Sequence, residues 1–273
     1  MDHAYVHGYD QRESIRRQDQ GSTLEELLHH DTRYPPGGTV LEAGCGVGAQ
    51  TVLLATNSPQ ALITSIDISA TFIAEAKKRV AAAGMTNVLF QQADIFDLPI
   101  DLGHAGLDPF DHIFVCFVLE HLAQPVQALR ALNSRLRPGG SITVIEGDHG
   151  STCFHPDSLA AHDAIRCQVE LQRQAGGNAL IGRELYPLLS SAGYSSVRVS
   201  PRMVYVDSSK PDLVEGFTKK TFTAMIEGVR RPALEAGLIE PGRFDQGIRD
   251  LYRTAEEDGV FCYTFFKAVA EKA

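Results

Sequence analysis

The stretch 40–51 constrains the fold of this chain more than any other part of its sequence. A short apolar and β-branched run there leads into three glycines at alternate positions, Gly44, Gly46 and Gly48. The run suits a buried parallel strand, and helical composition begins at Gln50. Glycines between a strand and a helix let the backbone turn tightly and come close to a ligand. The sequence therefore predicts a cofactor loop at the end of a parallel strand.

The spacing of this loop favours one kind of ligand over another. A dinucleotide fingerprint reads G-x-G-x-x-G, so that a helix N-terminus can hold a pyrophosphate. Here the loop reads E-x-G-C-G-x-G, with Glu42 at the tip of the strand. A carboxylate there would repel a pyrophosphate but could receive a cationic or amino-bearing ligand, through water or the loop amides. A nicotinamide oxidoreductase stays an alternative on the glycines alone.

Two further acids follow predicted strands in the positions where a nucleoside would lie. Asp67 ends a strand predicted over 61–69, about 20 residues beyond the glycines, where a carboxylate can accept two ribose hydroxyls. Asp94 lies at the exit of a strand predicted over 87–95 and could accept an adenine amino group. Ile68 and Ile95 are then expected to cover the two faces of the ring.

Together with these motifs, two later segments carry a family resemblance. The segment 110–122, which contains Phe117 and His121, and the segment 132–146, which reads as helix, tight turn and strand, complete the pattern. Over roughly its first three quarters the chain resembles the class I S-adenosylmethionine-dependent methyltransferases. The resemblance implies an α/β fold with a Rossmann-like seven-stranded sheet, mostly parallel with an antiparallel last strand, helices on both faces and a helical lid. It also implies S-adenosyl-L-methionine as cofactor and S-adenosyl-L-homocysteine as product.

The resemblance assigns roles to particular residues of the cofactor site. Gly44, Gly46 and Gly48 would meet the methionine part, Asp67 the ribose and Asp94 the adenine. The full predicted cofactor set is Glu42, Gly44, Gly46, Gly48, Asp67, Ile68, Asp94, Ile95 and Phe117.

Composition agrees with a soluble enzyme of moderate size. The 273 residues, 44% of them hydrophobic, can bury one substantial core plus extra helices. The formal net charge of −9 and the scattered basic residues argue against a nucleic-acid partner. No apolar run reaches transmembrane length and no secretory signal begins the chain, so we expect a cytoplasmic protein with no membrane partner. Five cysteines without a C-x-x-C pair predict no metal site.

The predicted organisation is a helical arm over 1–34 and a methyltransferase domain over 35–273. Helical lid segments are expected at about 150–180 and 211–258, because the second insertion is too apolar for a linker. Such a lid would make the pocket for the acceptor, with a homodimer interface or a simple cover for the sheet as the alternatives. On the arm, Tyr9 and Gln20 either touch the substrate or anchor the arm.

Methyl transfer is an in-line displacement, so alignment and exclusion of water matter more than any one side chain. A base helps when the acceptor must lose a proton. The candidates follow the fourth and fifth predicted strands: His149 first, then His121 and Glu146. His149 is expected in a loop just beyond the strand tip, and histidine titrates near neutral pH. Each of the three could instead have a structural role.

The sequence thus predicts a methyltransferase for a small-molecule acceptor and leaves O-, N- and C-methylation open. Two alternatives use the same cofactor: a methyltransferase-fold cyclase and a non-catalytic S-adenosylmethionine-binding protein. The intact glycines and acids count against the second.

Overall fold

The computed structural model describes residues 24–99 and 109–273. Its strands, in chain order, are β1 (Thr39–Ala43), β2 (Leu62–Asp67), β3 (Val88–Gln92), β4 (Phe110–Cys116), β5 (Leu136–His155), β6 (Tyr194–Val206) and β7 (Val260–Lys272). They form one seven-stranded sheet of order β3-β2-β1-β4-β5-β7-β6. The pairs among β1 to β5 are parallel, and the end of the sheet formed by the last strands is antiparallel. The predicted fold class is confirmed.

Ten α-helices and three other helical segments are described around the strands. The α-helices are α1 (Glu25–His29), α2 (Ala49–Asn57), α3 (Ala70–Ala82), α4 (Pro125–Ser134), α5 (Leu159–Gln174), α6 (Leu185–Ser191), α7 (Pro211–Leu213), α8 (Ala224–Gly228), α9 (Arg230–Glu235) and α10 (Pro241–Arg253). Short 3-10 helices cover Leu119–His121 and Ile181–Glu184. Val214–Thr223 is a π-helix.

The chain divides into two compact units, which we call the core unit and the insertion unit. Among the described residues, the core unit comprises 25–99, 109–146, Gly182–Pro201 and Phe266–Ala273. The insertion unit comprises Leu24, Gly147–Ile181 and Arg202–Phe265. Each unit contains its own buried apolar side chains.

In the core unit, β1 lies between β2 and β4 and is buried along its whole length. Burial on both faces of a parallel sheet explains why Val40, Leu41 and Ala43 on this strand are apolar. Helix α3 begins at Ser69, whose hydroxyl accepts a hydrogen bond from the amide of Phe72 at 3.3 Å. This N-cap fixes the start of α3 two residues after Asp67.

The same unit ties its first helix to its last strand through one buried ammonium group. Lys267 on β7 is 3% exposed and donates to Asp31 Oδ1 and Thr32 Oγ1, both at 2.6 Å, and to the carbonyl of Leu28 at 3.2 Å. A cation beside the last carbonyls of α1 is favoured by the helix dipole. The described part of the predicted arm is thereby anchored.

In the insertion unit, helices α5 and α10 pack closely against each other. Their contact depends on Gly247, because a Cβ there would meet the backbone of Ala160 and the side chain of Ala164. Helix α5 starts at Ser158, whose hydroxyl accepts from the amide of Ala161 at 3.2 Å. Small residues and a fixed helix start therefore set the geometry of this pair.

One prediction about local structure is wrong in the insertion unit. We expected His149 in a loop beyond the fifth strand, but β5 continues through it to His155. Glycine is compatible with the extended backbone, and at Gly147 the missing Cβ leaves room for the hydroxyl of Tyr263. Over 211–258, where two or three helices were predicted, α7, the π-helix and α8 run without a break through 211–228 and are followed by α9 and α10.

Candidate functional site

The glycine loop between β1 and α2 has the left-handed backbone that the sequence predicts. Gly44, Gly46 and Gly48 have φ values of 80°, 51° and 81°. At Gly44 a Cβ would lie 2.5 Å from Cγ2 of Val118, on the segment after β4. The loop therefore requires glycine both for its backbone conformation and for the close approach of that segment.

Asp67, at the C-terminal end of β2, links the glycine loop to helix α3. Its Oδ2 accepts from the amide of Gly46 at 2.8 Å, and its Oδ1 accepts from the amide of Ser69 at 2.9 Å. Each carboxylate oxygen has a second lone pair, so both can still accept hydrogen bonds from a ligand. The carboxylate thus stands beside the loop, as the prediction of a ribose contact requires.

Glu42 lies at the start of the same loop, but its carboxylate points into the unit. It is 2% exposed, and its Oε2 accepts from Thr51 Oγ1 at 2.7 Å and Ser65 Oγ at 2.6 Å. Burial, reinforced by the charge of Asp67, raises the pKa of Glu42 to about 7 against the opposing effect of the two hydroxyls. The residue therefore joins β1, β2 and α2 beneath the loop.

Three residues after β2 and β3 were predicted to hold a nucleobase. Ile68 is 55% exposed directly after Asp67, whereas Ile95 is buried. Asp94 is half-buried and its Oδ1 accepts from the amide of Phe96 at 2.9 Å. Ile68 is therefore accessible beside Asp67, whereas Ile95 contributes to the packed interior.

The segment after β4 is held by a buried carboxyl group. Phe117 adopts a φ of 58°, which is uncommon for a residue with a Cβ. Glu146, at the end of β5 in the core unit, accepts at Oε1 from the amides of Val118 at 3.0 Å and Leu119 at 2.7 Å. It is fully buried, and burial together with the charge of Glu120 raises its pKa well above the ordinary value. Glu146 therefore holds the two amides that follow Phe117.

His121, the second predicted base, lies in the 3-10 helix Leu119–His121. Its Nε2 is 3.5 Å from Oε1 of Glu120, and its amide donates to the carbonyl of Val118 at 3.0 Å. Its side chain is 24% exposed. His121 is thus accessible and has a carboxylate beside it that would stabilise its protonated form.

His149, the first predicted base, lies on β5 inside the insertion unit and is 6% exposed. Its Nδ1 is 3.1 Å from the hydroxyl oxygen of Tyr263 on β7, and the two rings are nearly perpendicular at 82°. The Phe222 ring lies 5.9 Å from the imidazole. The hydrogen bond with the phenol and the ring contacts therefore fix the orientation of the imidazole.

Comparison with family models identifies the family of the chain that contains this glycine loop. A methyltransferase-domain family model matches residues 35–193, more than half of the chain. The chain belongs to the methyltransferase family. This confirms the resemblance that the motifs indicated.

Individual relatives of this methyltransferase agree with that assignment. An uncharacterized 37.1 kDa protein from a Streptomyces fradiae transposon is 31% identical over 196 residues, which are 71% of this chain and 54% of the relative. A malonyl-[acyl-carrier protein] O-methyltransferase from a Paenibacillus species is 28% identical over 196 residues, 69% of this chain and 67% of the relative. The chain thus spans about half the length of the first of these relatives.

Among solved structures, phosphoethanolamine N-methyltransferase 2 from Haemonchus contortus is similar in fold. The TM-score is 0.56 at 14% identity, over 93% of this chain and 53% of that one. This likeness extends the fold assignment beyond the residues that the family model matches.

The remaining predictions for this methyltransferase concern two residues of the arm, metal sites and membrane-spanning helices. Tyr9 and Gln20 lie outside the described residues. Within 24–99 and 109–273, no group of three or more histidine, cysteine, aspartate or glutamate side chains could hold a metal ion. Across the same residues, no helix is both long and apolar enough to cross a membrane.

Sequence reasoning missed two residues of these arrangements. No role was predicted for Tyr263, and Val118 entered only as part of the segment 110–122. The pairing of Gly147 with Tyr263 and of Gly44 with Val118 joins positions far apart in the chain. A bulky residue facing a glycine is the signal in both cases, but it is visible only once the fold is known.

Proposed function

We propose that this methyltransferase transfers a methyl group from S-adenosyl-L-methionine to a small-molecule acceptor. The observation that carries the proposal is the left-handed glycine loop at the end of β1, bridged by Asp67 to the start of α3. The relatives named above include an O-methyltransferase, and the Haemonchus enzyme was solved with S-adenosylhomocysteine bound. Both facts support the cofactor.

The residues of the core unit fit this cofactor. S-adenosylmethionine, when bound, supplies a methyl group on a sulfonium, which an acceptor displaces in line to leave S-adenosylhomocysteine. The glycines from Gly44 to Gly48 would approach the methionine part without Cβ atoms. Asp67 would accept the ribose hydroxyls, while Ile68 would cover one face of the adenine and Asp94 would accept its amino group.

The buried carboxyl groups have a supporting role in this proposal. Glu146 holds the amides after β4, and burial raises its pKa, so it would position Phe117 and Val118. Glu42 would likewise fix the loop from beneath. The electrostatic environment of the sulfonium then depends on Asp67 and on the loop dipoles.

For an acceptor that must lose a proton, we assign His149 as the base. In the tautomer with its proton on Nδ1, the imidazole donates to the oxygen of Tyr263 and Nε2 can accept a proton. The phenol would then hold the ring in place during turnover. His121 is the second candidate, because its carboxylate neighbour Glu120 would stabilise the imidazolium.

Calorimetric titration with S-adenosylmethionine, S-adenosylhomocysteine and NADH tests the cofactor directly. We expect micromolar binding of both adenosyl ligands and none of NADH. Asp67→Ala should weaken the binding of both, whereas Asp212→Ala, an exposed acid of the insertion unit, should not. Binding of NADH alone, or of no ligand, would overturn the proposal. Turnover of a substrate without S-adenosylhomocysteine formation would identify a cyclase instead.

A further inference from the structure

The π-helix Val214–Thr223 in the insertion unit places two pairs of side chains in adjacent lines. Its hydrogen bonds link residue i with residue i+5, so residues five apart are neighbours on the surface of the helix. Phe217 and Phe222 form one line, and Thr218 and Thr223 form the next. All four side chains are buried. π-helices are rare and occur often at functional sites, so this segment merits a functional explanation.

The phenylalanine line fixes the helix against the strand and the proposed base. The centroid of the Phe222 ring lies 4.8 Å from the ring centroid of Phe261 and 5.6 Å from that of Tyr263. It lies 5.9 Å from the centroid of the His149 imidazole. Phe217 lies 5.8 Å from Tyr263. Aromatic pairs at these separations are favourable, so the π-helix has a defined position beside the His149 and Tyr263 pair.

The threonine line has an unusual feature. Thr218 and Thr223 are both 0% exposed, and their hydroxyls have no hydrogen-bond partner in the described part of the chain. By contrast, the hydroxyl of Thr221 on the same helix has a partner, because its Oγ1 donates to the carbonyl of Gly216 at 2.7 Å. A buried hydroxyl without a partner destabilises the folded state. A ligand that forms hydrogen bonds with both hydroxyls would remove this cost.

We propose that Thr218 and Thr223 bind an uncharged oxygen of the methyl acceptor, a molecule with an apolar or aromatic body. The inference rests on the proposed function and specifies its substrate class. A threonine hydroxyl both donates and accepts, which matches a hydroxyl or carbonyl oxygen. A buried phosphate or carboxylate would need cationic partners instead. The buried polar side chains described in this unit are hydroxyls, amides, His149 and Asp148.

Three matched probes test the class with the full-length protein: 1-naphthol, 1-methylnaphthalene and 1-naphthyl phosphate. Their dissociation constants are measured by ligand-observed NMR in the presence of S-adenosylhomocysteine. We expect wild type to prefer 1-naphthol to 1-methylnaphthalene by roughly three- to tenfold, the value of one hydrogen bond, and to bind the phosphate most weakly. Thr218→Val and Thr223→Val should each reduce that preference, and Thr→Ser at either position should restore it. Thr221→Val is the matched control and should keep the preference.

Thermal unfolding gives a second, independent readout. Removing a hydroxyl that has no partner should leave Tm unchanged or raise it, whereas Thr221→Val should lower it by roughly 2 °C. The inference is overturned if the preference for 1-naphthol is absent or survives both valine variants, or if the phosphate binds best. It is also overturned if Thr218→Val and Thr223→Val lower Tm as Thr221→Val does.

Failure of this inference is distinguishable from failure of the proposed function. Loss of the 1-naphthol preference with intact S-adenosylhomocysteine binding would leave the methyltransferase proposal standing. Absence of S-adenosylhomocysteine binding would remove the proposed function, whatever the probes do.

Discussion

Replacing Glu42 by glutamine should make the protein more stable at neutral pH. The carboxyl is buried with a pKa of about 7, against 4.5 for the ordinary group. Between pH 4.5 and about pH 7, Glu42 is deprotonated in the unfolded state but stays protonated in the folded state. The free energy of unfolding therefore falls as pH rises from about 4.5 to about 7, by about 3 kcal/mol for this group. Below 4.5 both states are protonated and the cost is absent.

Glutamine keeps the shape of the protonated acid and one oxygen to accept from Thr51 and Ser65. Glu42→Gln should thus match wild type near pH 4.5 and exceed it by about 3 kcal/mol near pH 8. Glu146 also has a raised pKa, but it is present in both proteins and cancels in the comparison.

Urea titration at a series of pH values measures this difference. The chain has no tryptophan, so unfolding is followed by circular dichroism. Glu257→Gln, at an exposed position, controls for the loss of one carboxylate and should show no comparable trend. An equal stability difference between Glu42→Gln and wild type at pH 4.5 and pH 8 would refute the reasoning.

Three further predictions concern the proposed cofactor and base. Gly44→Ala should destabilise the fold by at least about 1–2 kcal/mol through its left-handed backbone, with more from the contact with Val118; chemical denaturation measures this, and wild-type stability would contradict it. Asp67→Ala should weaken S-adenosylhomocysteine binding by about 2–4 kcal/mol, roughly 30- to 1,000-fold in Kd; an unchanged calorimetric Kd would remove the ribose assignment. His149→Ala should lower methyl-transfer turnover with little change in that Kd, and Tyr263→Phe should act in the same direction more weakly. Full activity of His149→Ala would exclude it as the base.

Most of the core unit could be predicted because its signals are local. Strands β1 and β2 are short, largely apolar runs, β1 is followed by Gly44 and β2 ends at Asp67, and a helix follows each of them in the chain. The predicted strand over 61–69 appears as Leu62–Asp67, with Asp67 at its end. The glycines Gly44 and Gly48 adopt the positive φ that their pattern required.

The insertion unit could be predicted less well, because its structure depends on contacts between distant segments. The glycines on either side of His149, Gly147 and Gly150, are compatible both with the observed continuation of β5 and with a loop. What distinguishes the two is the space that Tyr263 fills beside Gly147, more than 100 residues further along the chain. The π-helix has no simple sequence signature, since its apolar and polar residues also fit an α-helical period.

The acids of the core unit show why residue type alone does not define a role. Glu42 lies one residue before the end of β1 and Glu146 lies within β5, directly before the segment that was predicted to be a loop. Both are buried, and their oxygens accept from Ser65 and Thr51 or from the amides after β4. Asp67 is the last residue of β2, but its two oxygens bind single amides at the edge of the loop and keep lone pairs for a ligand. Burial and the remaining hydrogen-bonding capacity therefore separate a carboxyl that shapes the loop from one that can recognise a cofactor.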